Sequence, residues 1–82
     1  MFKFRPHRGA YTDSMNEVTE LECRDALIQQ LKTESWVTTN VSLNDIECAY
    51  YAYDKRNQWD TYLITLVGWG VIGYTDQDIT EE

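Results

Sequence analysis

The clearest pattern in the chain is a succession of short apolar runs between residues 48 and 75. The runs "CAYYAYDK", "WDTYLITL" and "VIGYTD" are rich in aromatic and β-branched residues, which favour strands. Turn-forming residues separate them, around Arg56 to Gln58 and at "VGWG". The pattern therefore predicts a three-stranded antiparallel meander over residues 48 to 75.

A helical pattern precedes the meander. Within residues 24 to 34, Leu27, Ile28 and Leu31 recur at the spacing of one helical face. Asp25 lies near the predicted start, where a negative charge interacts favourably with the helix dipole. We predict one main helix here, with its apolar stripe turned toward the sheet.

The segment before this helix admits two interpretations. Asp13 and Ser14 are typical helix N-caps, which favours a helix that begins there. The β-branched residues Val18 and Thr19 favour a strand instead. We favour a strand over about residues 17 to 22.

Composition divides the chain into three parts. Residues 1 to 14 contain Pro6 and Gly9, which disfavour regular helix, and we expect an irregular basic arm there. Residues 15 to 75 hold the apolar runs and form the predicted compact domain. Residues 76 to 82 are mostly acidic and predict a flexible tail.

The length of 82 residues allows a single domain that buries about 60% of its unfolded surface. The expected fold class is α+β, with an antiparallel sheet of three to four strands packed on one main helix. No apolar run reaches the ~18 residues of a membrane span, and the N-terminus lacks the apolar stretch of a secretory signal. We therefore expect a cytoplasmic protein with no membrane partner, in which Cys23 and Cys48 are free and mostly buried thiols.

Charge is distributed unevenly along the chain, whose formal net charge is -7. Residues 1 to 9 hold Lys3, Arg5 and Arg8 against no acid, whereas the remainder holds 14 acids against four bases. A field of this sign repels phosphate backbones. Direct binding of nucleic acid is therefore not expected.

The basic segment has two interpretations of its own. In the first, the segment forms a donor cluster for an external phosphate or acidic partner, made of Arg5, His7 and Arg8. In the second, its basic residues pair with acids of the same chain. The charge count favours the second interpretation, because the segment has 14 acids of its own chain with which to pair.

The sequence does not offer a recognisable set of catalytic residues. A nucleophile needs a base within reach and a third group that orients the base. The chain has one histidine, His7. No feature of the sequence indicates that the fold brings it close to Cys23 or Ser14. Two cysteines and one histidine also fall short of the four ligands of a structural zinc site. We predict no enzymatic activity, no cofactor and no metal.

The aromatic residues point to binding instead, because seven of the 11 lie on the meander. Alternation along a strand places Tyr51 and Tyr53 on one face and Tyr50 on the other. If the helix covers one face, the opposite face presents tyrosine and tryptophan, which are enriched at protein interfaces. The alternative is that these residues only pair across strands. The candidate binding residues are Arg5, His7, Arg8, Tyr51, Tyr53, Trp59, Asp60 and Trp69.

Three stretches occur together in this chain: "FRPHRG" followed by "DSM", the hairpin "YDKRNQWDTYLITL", and "GWGVIGYTD". In combination they resemble a family of small uncharacterised proteins encoded by bacteriophages, prophages and other mobile elements. The likeness spans most of the chain and is weakest over residues 35 to 47. The chain departs from the pattern at Asn57 and Gln58 in the turn and in the acidic residues after Asp76. The resemblance implies a genetic setting and brings no catalytic residues. It also implies that the basic arm recurs together with the "WDTY" hairpin, so we expect Arg5 or Arg8 to pair with a carboxylate near that hairpin, Asp54 or Asp60.

These observations favour a non-enzymatic protein-binding module of a phage or mobile element that modulates a host process or defence system. Its partner would be a host or phage protein, and an exposed edge strand would allow a homodimer. One alternative is a nucleic-acid mimic that blocks a basic groove of a host protein. Another is a small anion- or nucleotide-binding domain that uses the basic arm.

Overall fold

The computed structural model describes residues 1 to 7, 18 to 34 and 41 to 79. In these ranges the strands form one five-stranded sheet of order β2-β1-β5-β4-β3, in which all neighbours are antiparallel. The α+β class is confirmed, but the expected count of three to four strands is too low. The elements are β1 (Phe2–Pro6), β2 (Thr19–Leu21), α1 (Arg24–Thr33), a 3₁₀ turn (Leu43–Asp45), β3 (Ile46–Asp54), β4 (Trp59–Leu66) and β5 (Gly70–Thr75).

The N-terminal segment is a strand inside the sheet, between β2 and β5. Phe2 lies opposite Leu21, and Phe4 lies opposite Thr75. The prediction of an irregular arm is therefore wrong for residues 2 to 6. Their apolar and polar residues alternate, so one side of the strand is buried while its basic side chains lie on the other. Residues 8 to 14 of the predicted arm, including Arg8, lie outside the described residues.

The elements next in the chain agree with the pattern of the sequence. The short strand β2 confirms the strand interpretation of this segment, and the helix α1 ends one residue before its predicted end. Leu27, Ile28 and Leu31 are its buried residues, as their spacing predicts. The proposed caps Asp13 and Ser14 lie outside the described residues.

The meander is confirmed, with a register irregularity in each of its two strand pairs: between Tyr50 and Ala52 on β3, and between Ile64 and Thr65 on β4. The first one changes which tyrosines share a face. Tyr50 lies opposite Tyr62, but the next pair is Ala52 with Thr61, so Tyr51 is an extra residue in a β-bulge. Past the bulge, Tyr53 lies opposite Asp60 and therefore on the same face as Tyr50. The prediction that Tyr51 and Tyr53 share a face is wrong, because simple alternation assumes an unbroken register.

The hydrophobic core lies on the face of the sheet that packs against α1, which we call the covered face. Gly73 is part of the close packing between β1 and β5. A Cβ atom added there would overlap the carbonyl oxygen of Arg5 and lie 2.5 Å from Phe4 Cε1. The buried core residues are Phe2, Phe4, Leu21, Leu27, Ile28, Leu31, Val41, Ile46, Ile64, Leu66, Ile72 and Ile79.

The segment after β5 packs against the sheet. Asp76 Oδ1 accepts a hydrogen bond of 2.9 Å from the backbone N–H of Lys3, and Ile79 is only 5% exposed. The expected flexible tail is thus wrong for residues 76 to 79, since an apolar residue at position 79 completes the core. Residues 80 to 82 lie outside the described part of the chain.

The two cysteines differ in their surroundings, although both are free thiols. Cys48 is half-buried, and this burial raises the pKa of its thiol. Cys23 is exposed, at the position that precedes α1. The expectation of mostly buried cysteines is therefore wrong for Cys23, which lies on the helix entry rather than on an apolar stripe.

Candidate functional site

The face of the sheet opposite the covered face is the candidate site, and we call it the open face. The register defines it, because Arg5 lies opposite Tyr74 and Tyr74 lies opposite Leu63. Several of its side chains remain exposed, among them Tyr51 at 64% and Val71 at 37%. Its residues include Lys3, Arg5, Ala49, Tyr51, Ala52, Asp54, Trp59, Thr61, Leu63, Val71 and Tyr74.

Arg5 crosses this face and contacts residues of the hairpin. Its guanidinium carbon lies 4.3 Å from the centroid of the Trp59 ring, which is a cation–π geometry. Its Nη1 atom lies 3.7 Å from Asp54 Oδ2, so the predicted pairing of Arg5 with Asp54 is confirmed. The Arg5 side chain is only 13% exposed. It is therefore part of the packed surface rather than an extended basic arm.

Asp54 organises the turn between β3 and β4. Its Oδ1 atom accepts the backbone N–H groups of Arg56 at 2.9 Å and of Asn57 at 3.3 Å. The side-chain amide of Asn57 donates to Oδ2 at 2.6 Å. This amide is the main cause that lowers the pKa of Asp54, with smaller contributions from the two backbone N–H groups and Arg5. The open face therefore keeps an ionised carboxylate at its border.

A depression of about 300 Å³ lies beside Asp54. Tyr51 and Tyr74 form two of its walls, with ring centroids 6.0 Å apart and ring planes at 67°. This edge-to-face arrangement is favourable for aromatic pairs and holds both rings in place. The lining residues are Tyr51, Ala52, Tyr53, Asp54, Thr61 and Tyr74.

A second depression, of about 170 Å³, lies at the start of α1. It brings together Cys23, Glu22 and Asp78, but Cys23 makes no side-chain capping bond to the helix. In the part of the chain that the structure describes, no cluster of three His, Cys, Asp or Glu residues is placed to hold a metal ion. The charged side chains that line this depression are those of Glu22, Arg24 and Asp78.

The predicted site residues divide into two groups. Arg5, Tyr51 and Trp59 come together on the open face. Tyr53 and Asp60 lie opposite one another at a register position of the other face, although Tyr53 also contributes to the lining of the depression beside Asp54. Asp60 therefore lies apart from the open-face group, and Tyr53 lies at its border.

The remaining predicted residues lie apart from these groups. Trp69 lies in the turn between β4 and β5 and is 40% exposed. His7 follows β1 and donates its backbone N–H to the carbonyl oxygen of Ile72 at 2.8 Å. Its Nδ1 atom is buried and has no hydrogen-bond partner within the described residues. Arg8 lies outside these residues.

Sequence reasoning missed Lys3, Leu63 and Tyr74 as members of the site. Lys3 Nζ lies 5.9 Å from the centroid of the Trp59 ring. The signal for Lys3 was available in the alternation of "FKFRP", which puts both basic residues on one side of a strand. Tyr74 and Leu63 required the pairing between β4 and β5, which the sequence pattern does not specify.

The described residues thus form a small α+β domain with a five-stranded antiparallel sheet, one helix on the covered face, and an open face that carries aromatic and basic side chains. Comparisons with protein-family models, curated proteins and solved structures gave no match. Over the described ranges, no helix has both the length and the apolar character that a membrane crossing requires.

Proposed function

We propose that this protein is a non-enzymatic protein-binding module and that its open face is the docking surface. The observation that supports this most is the exposure of Tyr51 against the half-buried ring of Tyr74, on the same face as the half-buried ring of Trp59. Tyrosine, tryptophan and arginine are the residues enriched at interfaces and among their energetically dominant positions. The open face combines all three.

The apolar content of this face strengthens the proposal. An antiparallel sheet often has one solvated face, and that face then carries mainly polar side chains. Here Leu63 and Val71 accompany the aromatic rings on the side away from α1. A partner that covered these side chains would remove their apolar surface from water, which is the main driving force of association.

The geometry gives less support to the two alternatives. A nucleic-acid mimic needs an uninterrupted array of carboxylates. On the open face, Glu20 lies opposite Lys3 and Asp54 pairs with Arg5, so basic side chains interrupt the acids. An anion site built on the basic segment needs an available guanidinium. Arg5 instead packs over Trp59 and pairs with Asp54. Both arrangements favour a protein partner.

The biological setting of the proposal comes from the sequence resemblance to proteins of phages and other mobile elements. In that setting the partner is a host or phage protein in the cytoplasm of a bacterial cell. Occupation of a surface on this partner would modulate a host process or a defence system. No chemical step by this chain is needed for such a role.

A capture experiment with a matched pair of variants tests the proposal. Tyr51 and Tyr50 are neighbours with similar exposure, 64% and 57%, but lie on opposite faces. Each also contacts one other tyrosine ring, Tyr74 and Tyr62 respectively. Tyr51→Glu and Tyr50→Glu therefore remove comparable aromatic contacts, and they add the same charge.

Tagged wild-type protein and both variants are used to capture partners from bacterial lysate at low and moderate salt. We expect partners that wild type and Tyr50→Glu retain equally and that Tyr51→Glu loses. The proposal is contradicted if nothing is captured reproducibly, or if both variants lose the same partners. Circular dichroism of the three proteins checks that the fold is unchanged.

A further inference from the structure

We infer that the depression between Tyr51 and Tyr74 receives a cationic side chain of the partner, an arginine, a lysine or a methylated lysine. This inference rests on the proposed function and specifies the chemistry of the partner. It follows from three features of the described residues: the two ring walls, the neighbouring carboxylate of Asp54, and the absence of a basic residue among the lining residues.

The ring walls provide the first argument. A cation is attracted to the face of an aromatic ring within about 6 Å of the centroid. Tyr51 and Tyr74 are in edge-to-face contact at 67°, and both line the depression. Sites that recognise alkylated ammonium groups are lined by several aromatic rings.

Arg5 provides the second argument, because it is an example of the same chemistry within this chain. Its guanidinium lies 4.3 Å from the Trp59 centroid and 3.7 Å from a carboxylate oxygen of Asp54. Asp54 also borders the depression, where the rings are Tyr51 and Tyr74. Asp54 therefore lies between two aromatic groups. On one side, the Trp59 ring contacts the guanidinium of Arg5. On the other side, Tyr51 and Tyr74 line a depression that has no basic residue among its lining residues.

Charge complementarity provides the third argument. Arg5 offsets part of the charge of Asp54, but the chain as a whole carries a net charge of -7. A field of this sign attracts cationic segments and repels anionic ones. The partner side chain that fits the depression is therefore positively charged rather than acidic or phosphorylated.

Tetramethylammonium chloride is the probe that tests this inference on the isolated full chain. The amide and ring signals of Tyr51 and Tyr74 are followed by NMR while the salt is added. We expect saturable shifts with a dissociation constant of about 30 to 400 mM, the range of a single cation–π contact from desolvated to exposed. Sodium chloride at equal ionic strength controls for screening. Tert-butanol has a similar shape without the charge and should bind at least about fivefold more weakly.

Variants locate the binding. Tyr51→Leu should weaken tetramethylammonium binding about fivefold or more, because one ring face is lost. Tyr50→Leu removes a ring on the other face and should leave binding unchanged. Asp54→Asn keeps a side-chain oxygen for the turn and should weaken binding by about twofold to threefold.

The inference is overturned by equal binding of tert-butanol, by unchanged binding to Tyr51→Leu, or by a lack of saturable shifts. Those outcomes leave the capture experiment unaffected, since an open face without a cation site still binds a partner through its apolar and aromatic surface. Conversely, tetramethylammonium binding in a protein that captures no partner would contradict the proposed function alone.

Discussion

The two faces of the sheet use the same strands for different purposes. On the covered face, Phe4, Ile64 and Leu66 are completely buried in the core, to which the helix contributes its apolar residues. On the open face, Tyr51 and Val71 remain exposed, and Arg5 lies over the Trp59 ring. Alternate residues of one strand thus contribute separately to the buried core and to the surface that we propose for binding.

The β-bulge on β3 determines which tyrosines lie on each face. It directs Tyr51 to the open face, where it meets Tyr74, while Tyr50 stays on the other face against Tyr62. Bulges commonly re-aim a side chain near functional sites. Two adjacent tyrosines thereby become probes of the two faces.

The largest expected effect comes from the covered face. Phe4→Ala should lower the free energy of unfolding by about 3 to 5 kcal/mol, because it leaves a cavity at a fully buried position. Lys3→Ala, one residue away on the open face, should change it by about 0.5 kcal/mol or less. Urea denaturation followed by tryptophan fluorescence measures both.

If Phe4→Ala does not fold, Phe4→Leu keeps the experiment informative, with an expected loss of about 1 to 2 kcal/mol. Equal stability of the Phe4 and Lys3 variants would contradict the assignment of β1 to the sheet interior.

A glycine on the covered side gives the next largest effect. Gly73→Ala should cost about 3 kcal/mol, because the added methyl group would overlap the backbone of β1. Gly68→Ala serves as the control, since Gly68 has open space around it and a φ of 87°. There the cost is backbone strain alone, about 1 kcal/mol. The reverse order of these two costs in denaturant unfolding would argue against the close packing of β1 on β5.

Arg5 tests how much the open face contributes to stability. Arg5→Ala should cost about 1 kcal/mol, the size of a partly shielded cation–π contact and a long ion pair. Arg5→Lys should recover only part of this loss, because lysine keeps the charge but not the planar stacking on Trp59. Thermal unfolding of the three proteins compares them. A cost as large as that of Phe4→Ala would mean that the open face also belongs to the core.

The smallest effect is a pH dependence at Asp54. Hydrogen bonds from Asn57 lower the pKa of this carboxyl in the folded state, so the folded protein holds the proton less tightly than the unfolded chain. The stabilisation is complete above the ordinary range of aspartate and is lost as pH falls through the lowered folded-state pKa. The melting temperature, measured at decreasing pH, should fall more steeply for the wild type than for Asp54→Asn. Identical declines would contradict this role.

Local sequence patterns predicted much of this fold. The features that depend on strand pairing between distant segments were not predicted. The stripe of Leu27, Ile28 and Leu31 identified the helix, because helical periodicity is a local property. The pairing of Arg5 with Asp54 followed from charge distribution together with the sequence resemblance.

Two features escaped prediction for physical reasons. The strand at residues 2 to 6 pairs with Gly73 to Thr75, about 70 positions away, and nothing near it in the sequence specifies that partner. The basic residues and Pro6 of this strand are also typical of a solvent-exposed arm. The bulge at Tyr51 has no compositional signature in "AYYAY", so the assignment of tyrosines to faces depended on a register that only the paired sheet reveals.

The division of roles between the two faces can be measured by photo-crosslinking in bacterial cells. The photoreactive tyrosine analogue p-benzoylphenylalanine is placed at position 51 or at position 50, and covalent adducts are resolved after irradiation. Our account predicts a discrete adduct with a partner protein from position 51 and none from position 50. Adducts of equal strength from both positions, or from position 50 alone, would contradict it.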